Sequence, residues 1–180
     1  MITFGIREHK DCLEWVEFMR LRFGSNVKII LTGISMGAAT VLMAAGEALP
    51  SNVIGVLADC GYSSPRSIIR KVIRQLHLPV KLVYPFIRLG GRLFGGFDLE
   101  ENSPEAAMKK CSVPVIFFHG EKDDFVPCGM SRRNYEICTA RKKLVIVPEA
   151  DHGLSYAVAP ELYLKELREF FGPEASYGQQ

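Results

Sequence analysis

The pentapeptide Gly33-Ile34-Ser35-Met36-Gly37 constrains this chain more than any other feature. It directly follows the largely apolar run 27–31 and directly precedes the Ala-rich stretch 38–49, so it joins a predicted strand to a predicted helix within a few residues. A serine lifted on so sharp a turn needs small neighbours, because side chains at both glycine positions would collide with the turned backbone and the adjacent strand. Gly33 and Gly37 supply that room, which makes Ser35 the first candidate nucleophile. A plain strand-loop-helix connection could use the same residues, so the pentapeptide needs support from elsewhere.

Two later stretches supply it. The apolar run 113–118 ends in His119-Gly120-Glu121-Lys122-Asp123-Asp124-Phe125-Val126-Pro127, which places a carboxylate just past a predicted strand. A second run, 144–147, leads into Glu149-Ala150-Asp151-His152-Gly153. Ser, Asp and His therefore occur in that order, each on a loop after its own strand. Together, the Gly-x-Ser-x-Gly motif at 33–37, the His-Gly-x-x-Asp-x-x-Val-Pro motif at 119–127 and the Asp-His-Gly motif at 151–153 resemble the α/β-hydrolase superfamily. More narrowly, they look like its bacterial serine esterase and peptidase-like branch. The resemblance covers nearly the whole chain, and three motifs in order are specific for the fold but not for the substrate.

The resemblance implies a serine hydrolase that cleaves small-molecule acyl esters, extending to thioesters or small amides, through an acyl-enzyme. Ser35 Oγ would attack the carbonyl and His152 would take its proton, since a free serine hydroxyl is a weak nucleophile near neutral pH. Asp123 would orient the imidazole, and the Met36 N–H would serve the oxyanion hole. For the acid, the spacing between His119-Gly120 and Val126-Pro127 selects Asp123. Asp124 stays open as an alternative, as does Asp59, which follows the run 53–58. His119 reads as a structural loop residue, and His9 and His77 fall in predicted helices with no partner pattern. Only His152 follows a terminal strand.

Composition agrees with such a chain. One hundred and eighty residues, 48% of them hydrophobic, can bury a sizeable core in one domain. A net charge of +2 gives no reason to expect nucleic-acid binding. The five cysteines contain no Cys-x-x-Cys pair and read as reduced thiols of a cytoplasmic protein. No secretory leader, membrane span, metal-ligand spacing or phosphate-binding glycine loop is read, so neither metal nor cofactor is expected.

The expected architecture is α/β, a doubly wound and mostly parallel sheet of about four strands flanked by helices. Strands are predicted at 28–32, 53–58, 114–118 and 143–147; helices at 7–23, 36–49, 129–139 and from 154 or 155 to 171. This core spans 1–172, with 173–180 read as a disordered tail. The stretch 63–110 interrupts the alternation. Ser64-Pro65 opens a helix to about residue 77, Pro79 breaks it, and a second apolar stretch covers 80–94 before Asn102-Ser103-Pro104-Glu105 starts a short helix. Its seven basic residues from Arg66 to Arg92 meet no acidic one. In the family it resembles, an insertion here forms a cap, whose acyl pocket would be lined by Ile68, Ile69, Val72, Ile73, Leu82, Val83, Phe86 and Leu89. The same stretch also suits an anionic membrane surface, or simply packs its apolar face inward with its arginines in water.

Compared with the family pattern, residues 1–26 hold one helix and neither an upstream strand nor a second oxyanion donor. The expectation is that the chain corresponds to the C-terminal part of a longer hydrolase domain. Strand 27–32 would then be an apolar sheet edge, and a homo-oligomer joined there is expected. The competing reading is a catalytically weak, truncated fragment that acts only through self-association or partner binding.

Overall fold

The computed structural model describes residues 1–172; the tail 173–180, expected to be disordered, lies outside the described residues. Four strands, β1 (Ile29–Ile34), β2 (Val53–Asp59), β3 (Val115–Gly120) and β4 (Lys142–Val147), form one parallel sheet in the order of the sequence. Ile34 is level with Asp59 on β2, and Gly120 is level with Val147 on β4. β3 is buried at every position because it has a strand on either side and helices on both faces, which is why its sequence, VIFFHG, is apolar almost throughout. His119, expected on a loop, is part of this strand.

Side chains alternate between two cores, as the two-residue period of a strand requires. Val115 and Phe117 point to a core shared with Val16, Leu42 and Met108, from α1 (Glu8–Phe23), α2 (Met36–Ala44) and α5 (Pro104–Met108). Ile116 and Phe118 point the other way, toward Tyr163 and Phe170 of α8 (Pro160–Phe171). α6 (Gly129–Ile137) follows β3, and α7 (Ser155–Val158) leads into α8. Gly24, at φ 88°, ends α1.

Three elements depart from the sequence reading. α2 stops at Ala44 rather than 49, where a Cβ on Gly46 would lie 2.6 Å from the Ala107 backbone: the helix gives way where α5 crowds it. The single helix expected to end at 171 is two, because Pro160 has no N–H and its predecessor Ala159 leaves helical geometry at φ −137°. His77 lies beyond α3 (Pro65–Gln75), at φ 56°, not inside a helix.

The stretch 63–110 contains α3, α4 (Val80–Gly90), a π-helical turn at Gly91–Gly95 and α5. Ser64 caps α3 by accepting the Ser67 N–H at 3.1 Å, and Pro65 occupies the first turn, where its missing donor costs nothing. Ile68, Ile69 and Ile73 of α3 bury against Ile6, Ala39 and Met43, together with Tyr84, Phe97 and Leu99. Asp98 ties the π-helical turn back to α4 by bonding Arg88 at 2.6 Å and by pairing with Arg92.

Candidate active site

Ser35 stands at the top of β1, where the chain turns into α2 with φ 57° and ψ −117°, a left-handed conformation that costs a non-glycine residue roughly 1–3 kcal/mol. Its N–H is held by the Asp59 carbonyl at 2.8 Å, which pins the turn to β2. Gly33 is required by close approach: a Cβ there would lie 2.2 Å from the Gly37 carbonyl carbon. Gly37 is not. A Cβ at Gly37 meets nothing within 4 Å, so the expectation that both glycines relieve a collision holds only at the first.

The loops after β3 and β4 bring the other candidates to Ser35. They can meet because Gly120 carries no side chain; a Cβ there would lie 2.3 Å from the Ala150 carbonyl oxygen. His152 Nε2 lies 2.9 Å from Ser35 Oγ, and His152 Nδ1 lies 2.8 Å from Asp123 Oδ2. The other Asp123 oxygen accepts the N–H groups of Phe125 at 3.0 Å and Val126 at 2.7 Å. This aspartate is sealed from solvent while the histidine side chain keeps 26% of its exposure, so the chain of groups runs from interior to surface. Phe125 presses its ring against the His152 imidazole, edge to face, with centroids 4.9 Å apart. Met36, the fourth candidate, is the first residue of α2, where backbone N–H groups have no intrahelical acceptor.

The two alternative acids serve elsewhere. Asp124 offers its backbone carbonyl to Lys71 of α3, whose ammonium also reaches the Phe125 carbonyl at 2.9 Å. Asp59 accepts from Ser155 Oγ at 2.8 Å and Tyr163 Oη at 3.2 Å, and burial pushes its carboxyl above the usual range.

Two groups near the site were not read from sequence as part of it. His119 Nε2 lies 2.8 Å from the Val126 carbonyl and 3.2 Å from Asp123 Oδ2, while its Nδ1 meets Ser131 Oγ at 2.7 Å. Burial pushes this imidazole down, and its Nε2 hydrogen bond to the Val126 carbonyl helps hold the loop that carries Asp123. The i, i+4 spacing of His119 and Asp123 was the available signal. Cys60, at φ 47°, has its Sγ within 4.8 Å of ligand atoms of Asp123 and His152, a grouping that could hold a metal ion. Its chemistry fits one poorly, because burial pushes the thiol to about 12 and the other two groups are engaged with each other.

The acyl pocket implied by the family resemblance divides. Ile68, Ile69 and Ile73 are spent on packing, whereas Leu82, Phe86 and Leu89 face solvent on the far side of α4. The apolar groups exposed around the serine and histidine are instead Ile34 and Leu154, close to them in sequence, and Phe125, which packs on the imidazole. Nor are the basic residues of this stretch all simply solvated: Arg66 and Arg88 pair with Glu100 at 3.6 and 2.9 Å.

No protein-family model matches the chain. Among curated proteins, an uncharacterized protein of Bacillus subtilis, YqkD, is 28% identical over 169 residues, covering 93% of this chain and 55% of its own length. The uncharacterized YfhR of Escherichia coli K12 is 23% identical, covering 69% of the chain and 38% of its own length. The chain thus spans about half the length, or less, of these relatives. Among solved structures, a Pyrococcus furiosus esterase superposes with a TM-score of 0.70 at 20% identity, over 93% of this chain and 62% of that one. A Mycobacterium tuberculosis puromycin-hydrolyzing peptidase gives 0.69 at 18% identity, over 94% and 26%. The esterase domain of a Rhodothermus marinus protein gives 0.63 at 23% identity, over 93% and 71%. The four-stranded parallel sheet and its helices have the α/β-hydrolase fold.

Proposed function

We propose that this α/β-hydrolase fold is a serine hydrolase that cleaves carboxylic esters of small acyl groups. The carrying observation is the unbroken hydrogen-bonded series Ser35, His152, Asp123, with its 2.9 and 2.8 Å contacts ending on a serine at the start of a helix. In this reading Ser35 Oγ adds to the ester carbonyl carbon as His152 Nε2 takes its proton, and the carbonyl electron pair moves onto oxygen. The Met36 N–H and the positive end of α2 face that oxyanion. Collapse breaks the bond to the alcohol, which leaves with the proton from His152. Water, deprotonated by the same imidazole, then releases the acid and restores Ser35. Asp123 holds the tautomer with the proton on Nδ1 and faces the imidazolium formed in each half.

Esters of apolar acyl groups suit the surroundings, since Ile34, Phe125 and Leu154 expose apolar side chains beside the site. The test is labelling by a fluorophosphonate, read by intact mass, beside Ser35→Ala and His152→Ala. An adduct that needs both residues is expected. A folded chain that takes no adduct overturns the reading.

A second reading, association through a sheet edge, has its own observation. Among the described residues β1 has β2 as its only sheet neighbour. Beside it a groove of about 200 Å³ is lined by Trp15, Met19, Ile29 and Ile30, with Trp15 65% exposed. Such an edge can pair with its own copy across a two-fold axis. Sedimentation that finds only monomer at high concentration would remove this reading.

A further inference from the structure

We propose that the outer face of α4 and the π-helical turn after it docks on an anionic lipid bilayer. The helix presents three distinct faces. Val80, Val83 and Tyr84 pack inward on the cluster that includes Ile68 and Ile69. Leu82, Phe86 and Leu89, at helical spacing, face outward with 61%, 67% and 48% exposure, and the stripe continues through Leu93 at 68% and Phe94 at 85%. Lys81, Arg88 and Arg92 recur at the same spacing on the flank, roughly 100° of helix rotation from the stripe. Large apolar side chains scattered singly over a surface are ordinary; five along one helix and its continuation are not.

The charge selects the occupant. Seven basic and no acidic residues lie from Arg66 to Arg92, and Asp98, Glu100 and Glu101 follow before α5 begins. Asp98 and Glu100 pair with Arg66, Arg88 and Arg92, while Glu101 accepts the Asp98 backbone N–H. Arg74 and Lys81 form no ion pair among the described residues, and they flank exposed Leu76 and Leu78 in the corner between α3 and α4. A second copy docked on this face through a two-fold axis would set like charges against each other. A bilayer with anionic headgroups accepts both parts: the acyl boundary takes the leucines and phenylalanines, and the headgroups take the cations. The docked cap would also adjoin the candidate active site, because Lys71 of α3 bonds the Asp124 and Phe125 carbonyls.

The test reads binding without turnover, so its outcome is independent of the hydrolase reading. The full chain is sedimented with vesicles of phosphatidylcholine alone and with vesicles of phosphatidylcholine and phosphatidylglycerol in equal parts. Binding at least ~10-fold tighter to the anionic vesicles, weakening with salt, is expected. Phe86→Ser with Leu93→Ser should weaken it by ~10-fold or more, and Arg74→Gln with Lys81→Gln should remove the preference for anionic lipid. Both pairs are exposed, and circular dichroism verifies that the variants fold. A folded chain that binds neither vesicle overturns the proposal, as does binding that both variants leave unchanged. A concentration-dependent dimer lost in Phe86→Ser with Leu93→Ser, without vesicle binding, would overturn it in favour of a contact between copies.

Discussion

His152 Nε2 stands 2.9 Å from Ser35 Oγ although 117 positions separate the two residues. That contact exists because β1 and β4, the two edges of the sheet, end on the same side, and because the loops after β3 and β4 close over Gly120. If it is the reacting pair, Ser35→Ala and His152→Ala each lower kcat/KM on a small aryl ester by roughly 10³-fold or more, and the double variant is little worse than either single one. Ser35→Gly should be equally inactive yet more stable by ~1 kcal/mol, because glycine accepts the φ of 57° without strain. Ester kinetics and urea unfolding read both; additive losses would argue against a single reacting unit.

The two glycines of the pentapeptide separate cleanly. Gly33→Ala forces a Cβ to 2.2 Å from backbone and should cost about 3 kcal/mol or more, enough to threaten folding. Gly37→Ala enters open space inside α2 and should be neutral or stabilise by about 0.5–1 kcal/mol. Thermal unfolding of the pair decides it, and equal losses would mean that the turn is not built as described.

Much of this was legible in the chain because it depends on short-range pattern. Strands came from apolar runs, α1 from its periodicity and Gly24, and α3 from Ser64-Pro65, since each rests on neighbours in sequence. The candidate triad was legible for the same reason: each member follows its own strand. What escaped depends on contact at a distance. The end of α2 is set by Ala107, the role of Gly37 by empty space, and the position of His119 by Ser131 and Val126. The cap residues divided because periodicity places a residue on a helix face but does not say which face meets the protein.

His119 makes a pH-dependent contribution. Burial lowers its folded pKa below the unfolded value of about 6.5, so the unfolded chain binds a proton that the folded chain refuses. Stability due to this group is therefore full at alkaline pH and declines as pH falls below about 6.5. His119→Phe takes the partner from the Val126 carbonyl and leaves Ser131 Oγ with only the Gly61 carbonyl, and should cost about 1–3 kcal/mol near pH ~8. The variant should also lose less stability than the parent between pH ~8 and ~5.5. Denaturant titrations at the two pH values check this; parallel losses would show that His119 is not the group involved.

Asp59 and Asp123 can be told apart by one pair of isosteric changes. Asp59 carries a carboxyl raised by burial, so between its unfolded value near ~3.9 and its higher folded value the folded state holds the extra proton. Stability contributed by this group is greatest at low pH and falls as pH rises through the folded pKa, because burial opposes the charged carboxylate. Asp59→Asn removes the titrating group and should leave the protein as stable or more so near pH ~7. Asp59→Ala, which strips the acceptor from the Ser155 and Tyr163 hydroxyls, should cost about 1–3 kcal/mol. The bond that positions Ser35 comes from the Asp59 backbone carbonyl, so fluorophosphonate labelling should survive Asp59→Asn. Asp123→Asn should instead slow labelling by roughly 10⁴-fold, because an amide facing His152 Nδ1 favours the wrong tautomer. If labelling were lost in Asp59→Asn and kept in Asp123→Asn, the carboxylate that orients His152 would be the one on β2, and the loop after β3 would have only a structural part.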